Sequence, residues 1–339
     1  MECGSDEPAL RHGPGELDHS RLRPTRIKGT IVAQGDFLAT PNRIVPIQDY
    51  LVVGDDGSET KLHILRADGS RIRSIGREGA GPGEFKGIRS VVPAPGADAK
   101  AWVYDVSLSR MTEVDLAVAQ QPSEMRIVTL AQEILPIQPL WLGDTIVSPN
   151  FSDRGRLTFF GPQGQFLHAA GPLPRDSKGT PSSVLQQAWM GHIAVSPRRG
   201  LIALATFYAD QLEIYRSDGS LVRTVRGPFR FDPKFETADA GGGFLTMSSG
   251  ESMRIGYSHV AATDDEIYAL FSGRTREAFG GGSSFGRFVH VYDWDGELKR
   301  VLELDEAVVA VSISPDRKSL YAVRHDPEPA ILAFPLPTR

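Results

Sequence analysis

Residues 61–76 read KLHILRADGSRIRSIG, and this stretch decides the fold. Lys61 to Arg66 is rich in Leu, Ile and His, as a half-buried strand requires. Ala67-Asp68-Gly69 then supplies the positive-φ position of a tight turn, and a second apolar run follows from Arg71. The phrase returns as RLTFFGPQGQFLHAAG at 156–171, QLEIYRSDGSLVRTVRG at 211–227 and FVHVYDWDGELKRVLEL at 288–304. A supersecondary unit that recurs every roughly 40–50 residues marks a β-propeller.

A second phrase precedes each hairpin: a short apolar strand, a turn, another apolar strand. Six such pairs begin near residues 43, 89, 138, 192, 259 and 310. Each unit is therefore four strands, A to D, and the expected fold is all-β, a single six-bladed propeller of four-stranded antiparallel blades. The sixth unit ends at AILAFPLPTR without an outer strand, while TRIKGTIVAQGD (residues 25–36) is a strand to spare. That segment is expected to complete the last blade and close the ring, which removes an open sheet edge. The domain reading is a polar tether over residues 1–24 and the propeller over 25–339.

The net charge of −5, with 37 basic and 42 acidic residues, argues against a nucleic-acid partner. No apolar run approaches the ~20 residues of a membrane helix. The single cysteine, Cys3, precludes an intrachain disulfide. Met1-Glu2-Cys3-Gly4-Ser5-Asp6 reads in two ways. Cys3 is either the lipidation site of a mature bacterial lipoprotein or a plain thiol on a frayed end. The first reading places the chain in the periplasm or outside the cell, with membrane contact only through a lipid on Cys3. The second leaves the cytoplasm open.

Gly76-Arg77-Glu78-Gly79-Ala80-Gly81-Pro82-Gly83-Glu84-Phe85 resembles the glycine-rich opening of NHL-type repeats. Trp102-Val103-Tyr104-Asp105 with Ser109-Arg110-Met111 resembles the rest of such a repeat. The whole chain resembles the TolB-like and NHL-like six-bladed propellers, many of them exported bacterial proteins. The resemblance implies the fold and leaves function open. The same architecture hosts lactonases, lyases, quinone-dependent dehydrogenases and pure binding modules.

Propeller topology puts A–B and C–D turns on one face and B–C and D–A connections on the other. The long loops, residues 77–86, 172–187, 228–258 and 273–287, all belong to the second set, which marks that face for binding. Strand A enters the central channel there. The aligned entry positions are Arg43, Arg89, Gln138, His192, His259 and Ala310. The first five are expected to form a cationic, hydrogen-bonding collar for an anionic or carbonyl-rich ligand. The alternative is a wet axis lined by satisfied polar groups. Asp105, Arg110, Tyr208, Arg274 and Arg324 are placed on the same face, with Asp210, His325 and Asp326 beside them.

No complete catalytic constellation is present, and no metal ligand set or cofactor is assigned. Gly282-Ser283-Ser284-Phe285-Gly286 fits G-x-S-x-G, but between β-strands, where a nucleophile elbow does not form. The expected function is a non-enzymatic binding or scaffold module, monomeric, whose long-loop face and channel mouth take a protein, peptide or glycan. The competing expectation is a hydrolase or lyase at the channel mouth. There His192 or His259 would be the base, and Arg43 and Arg89 would stabilise an oxyanion.

Overall fold

A computed structural model describes residues 15–242 and 245–337. Six blade sheets, five of four strands and one of five, stand around a central axis. Blade 1 runs Pro41–Ile47, Tyr50–Asp55, Thr60–Arg66 and Arg71–Arg77. Blade 2 is Ile88–Pro93, Lys100–Asp105, Arg110–Asp115 and Ile127–Thr129. Blade 3 is Leu140–Leu142, Thr145–Pro149, Leu157–Phe160 and Phe166–Ala170. Blade 4 is Gly191–Ser196, Leu201–Thr206, Gln211–Arg216 and Leu221–Arg226. Blade 5 is Tyr257–Ala262, Glu266–Phe271, Gly286–Asp293 and Leu298–Val308.

Blade 6 takes three strands from one end of the sequence, Ala310–Ile313, Ser319–Arg324 and Ala330–Pro335, and its outer strand Thr30–Gln34 from the other. That last pairing is antiparallel, Thr30 opposite Ala333 and Gln34 opposite Ala330, and closes the ring. The segment at 25–36 does a second job as well. Thr25–Ile27 lies parallel to the outer strand of blade 5, Thr25 opposite Leu302, so that blade has five strands.

The core lies between blades. Trp102 of blade 2 faces Trp141 of blade 3 with ring centroids 5.8 Å apart, in a cluster that continues through Phe159, Phe160, Ile202 and Tyr215. Each such side chain, fully buried, contributes about 1.5–3 kcal/mol.

In blades 1 and 3 a C–D turn glycine lies against the backbone of the neighbouring blade. At Gly69 φ is +85°, and a Cβ there would lie 1.5 Å from the carbonyl oxygen of Val32, on the outer strand of blade 6. Gly164 meets Thr129 of blade 2 in the same way, at 2.1 Å. The Asp-Gly signature thus serves two demands, the turn conformation and the backbone contact beyond it.

Residues 15–24, read as tether from sequence, pack along blade 5. Glu16 pairs with Arg274 at 2.7 Å, and the His19 ring stacks on Phe288 with centroids 3.6 Å apart. Ser20–Leu22 then makes one 3-10 turn. The two polar-looking histidines of this region differ in status: His19 is buried, and His12, like Cys3, lies outside the described residues. Among the described residues no helix is long and apolar enough to cross a membrane.

Candidate functional site

Three of the six A strands carry a register shift where they enter the channel. The shifts fall between Pro41 and Arg43, between Ile88 and Ser90, and between Tyr257 and His259. A bulge re-aims side chains, and here the bulges lie beside Arg43, Arg89 and His259. Arg43 donates from Nε to the carbonyl of Arg89 at 2.7 Å and from Nη1 to that of Asn42 at 2.6 Å. The rings of His192 and His259 lie 5.8 Å apart. The His192 ring also meets Phe207 edge-on at 6.0 Å. Gln138 is spent on the next blade: Ile193 N–H donates to its Oε1 at 3.1 Å, and its Nε2 donates to Ile193 O. Ala310, at the sixth position, is buried.

The collar is electrostatically one-sided. Burial, then the Arg43 and Arg89 charges, pushes the pKa of His192 down to about 3. His259 is held well below the usual histidine range by burial, then by His192 and Arg43. Burial and Arg89 also lower Arg43 to about 10, against a partial pull upward from Asp56. Asp56 is itself committed to Asn42 and to Ile88 N–H. Neither Arg43 nor Arg89 forms an ion pair among the described residues. With a pKa near 3, His192 is a weak base at neutral pH. No three His, Cys, Asp or Glu side chains converge as a metal site among the described residues.

Below the collar a cavity of about 540 Å³ runs along the axis. Its lining consists of A-strand and A–B-turn residues and includes none from the long loops. The channel therefore opens toward the short turns, and the collar forms its inner end. Most of the wall is Val, Leu, Ile, Ala and Pro, so below the collar the axis is largely apolar.

The residues assigned to the long-loop face have varied fates. Asp105 is buried and caps its own B–C turn, accepting from Ser107 and Leu108 N–H at 2.9 and 3.1 Å and from Lys86 N–H. Arg110 does not pair with Asp105. It donates to the carbonyls of Ala80, Gly81 and Glu84 and so clasps the glycine-rich loop. Arg324 is buried against Glu306 at 2.7 Å. Arg274 is held by Glu16 and lies over the Phe279 ring at 4.4 Å. Tyr208 is half-buried against Phe207. Asp210 joins a buried network, accepting from Tyr257 Oη at 2.8 Å. His325 hydrogen-bonds to Pro41 O at 2.6 Å.

The long loops carry structure of their own. Helix Ser182–Ala188 and hairpin Glu236–Asp239/Leu245–Ser248 flank a groove of about 1070 Å³. Its walls include Trp189, Arg175, Lys178, Lys234, Asp176 and Glu236. Sequence reasoning missed this groove, although Pro172, Pro174 and Pro233 punctuate the loops that build it.

The family described as TolB-like 6-blade propeller-like matches residues 26–316. The chain belongs to this family. Among solved structures, this TolB-like propeller is similar to a member of the duf4221 family from Bacteroides vulgatus. That match has a TM-score of 0.57 and 9% identity, and covers 92% of this chain and 97% of that one. It is also similar to the Cps50 (Swd1) β-propeller domain of Myceliophteria thermophila. There the TM-score is 0.52 with 12% identity, and 91% of this chain and 100% of that one are covered. At such identities the likeness concerns the fold. No match to the TolB-like chain was found among curated proteins.

Proposed function

We propose that this TolB-like propeller is an exported binding or scaffold module without chemistry of its own, presenting its long-loop face to an extended polar ligand, a peptide or a glycan. The observation that carries this reading is the groove beside helix Ser182–Ala188. Its walls hold three cations (Arg175, Lys178, Lys234) and three carboxylates (Asp176, Asp232, Glu236) around the half-buried Trp189. A balanced polar rim about two half-buried aromatics, Trp189 and Phe235, suits a neutral, hydrogen-bonding chain better than a polyanion or an apolar surface. Lipid attachment at Cys3 fits the same role, since a tethered propeller holds its binding face near a membrane.

Arrays of peptides and of glycans, probed with the wild-type chain and with Trp189→Ala and Lys234→Glu, test the proposal. Binders whose capture falls about tenfold or more in both variants support it and say which polymer is recognised. Binding that is indifferent to both variants, or turnover of a bound compound, sinks it.

A further inference from the structure

The central cavity is a second site, separate from the groove and open to the opposite face. Every blade contributes aliphatic residues to its wall, among them Val45, Val92, Leu140, Val195, Val260 and Ile313. Its rim is made of exposed turn residues, Pro95, Gly96, Gly143 and Pro197. At about 540 Å³ it falls within the range of small-molecule sites.

The inner end is of opposite character. Arg43 lines it, and two of its nitrogens bond carbonyls while Nη2 has no partner among the described residues. His259 lines it too. The N–H of Val311 donates to His259 Nδ1 at 3.5 Å, which puts the ring proton of the neutral tautomer on Nε2. The cavity lining contains no Asp or Glu. Apolar walls that end in a guanidinium and an imidazole N–H, with no carboxylate between them, complement one kind of molecule.

We propose that the central cavity binds a small amphipathic carboxylic acid, entering from the short-turn face with its apolar body along the six aliphatic walls and its carboxylate on Arg43 and His259. A carboxylate takes the charge-assisted hydrogen bonds that the Arg43 guanidinium and the His259 N–H offer, and burial there strengthens them. The apolar body supplies the hydrophobic share of affinity. A dianion such as a phosphate ester would meet one lining cation only and would lose more hydration on entry.

Calorimetric titration with octanoate, octanamide and acetate tests this, and does so independently of the groove. Octanoate is expected to bind saturably at one site per chain. Octanamide should bind roughly tenfold or more weakly, and acetate not measurably. Arg43→Gln should bring octanoate down to the octanamide level, while Arg43→Lys keeps the preference for the acid. Ala262→Trp, which fills the mouth, should abolish binding of both without lowering the melting temperature. If Arg43→Gln fails to fold, the acid-to-amide ratio and the Ala262→Trp variant still decide. Absence of saturable octanoate binding, equal binding of acid and amide, or full binding by Ala262→Trp overturns the proposal.

Discussion

Arg156 and Glu213 form a buried ion pair across blades 3 and 4, with Nε and Oε2 3.0 Å apart and side chains 2% and 9% exposed. Arg156 also donates to Trp189 O, and Glu213 accepts from Tyr215 Oη and Gln211 Nε2. The pair thus joins two blades to the end of the helix that walls the long-loop groove. Burying two charges is costly, and breaking one such pair strands the other charge. Arg156→Met is expected to cost about 3–5 kcal/mol, read from chemical denaturation. Arg156→Met with Glu213→Leu should recover most of that loss. A single variant as stable as the wild type would contradict this account.

The histidines make the fold acid-sensitive. His192, at about 3, binds its proton far less readily in the folded chain than unfolded, and His259 and His290 are shifted the same way. Between the unfolded histidine value near 6.5 and the depressed folded values, the unfolded state holds more protons. Stability is therefore full above about pH 6.5 and falls as pH drops below it. Denaturation midpoints at pH 7.5, 6 and 5 should decline in that order, and His192→Gln should flatten the decline. A midpoint that rises on acidification would reverse the sign and refute the assignment.

Gly69 offers a clean separation of strain from contact. Gly96 has φ of +65° with nothing near its missing Cβ, whereas Gly69 has φ of +85° and meets Val32 O. Gly96→Ala should cost only the left-handed penalty of about 1–2 kcal/mol. Gly69→Ala must in addition push blade 1 off blade 6 and should lower the melting temperature clearly further. Equal effects would show that the interblade contact matters little.

Arg110 holds three carbonyls of the glycine-rich loop. Arg110→Ala should free residues 76–85, with faster backbone hydrogen exchange and a new site of limited proteolysis there, at a cost of about 1.5–3 kcal/mol. Unchanged exchange in that loop would mean that the glycine turns alone hold it.

The hairpins were readable because strand alternation and Asp-Gly turns are local signals. Blade 3 was faint for a physical reason: its first strand is only Leu140–Leu142, and its C–D turn carries Pro162-Gln163-Gly164 in place of Asp-Gly. The repeats let one A-strand entry position be counted per blade, but of those positions only Arg43, Gln138 and His259 line the cavity. Which way the channel opens was not readable, because that depends on bulges at Arg43, Arg89 and His259 and on packing above them. The roles of Asp105 and Arg110 were misplaced for the same reason. A polar residue beside a turn looks alike whether it faces solvent or satisfies buried backbone groups.

The pairing of Thr30 with Ala333 spans 303 positions of sequence. On a ribosome, Thr30–Gln34 must wait for the five blades between before its partner exists. Joining ends so far apart costs on the order of 5 kcal/mol in chain entropy, which only the completed blade and its neighbours offset. A solenoid can stop after any repeat and remain folded. This ring cannot: a nascent chain short of Ala330–Pro335 leaves a bare strand edge on either side of the gap. Ala330–Pro335 thus decides whether all the earlier blades are kept.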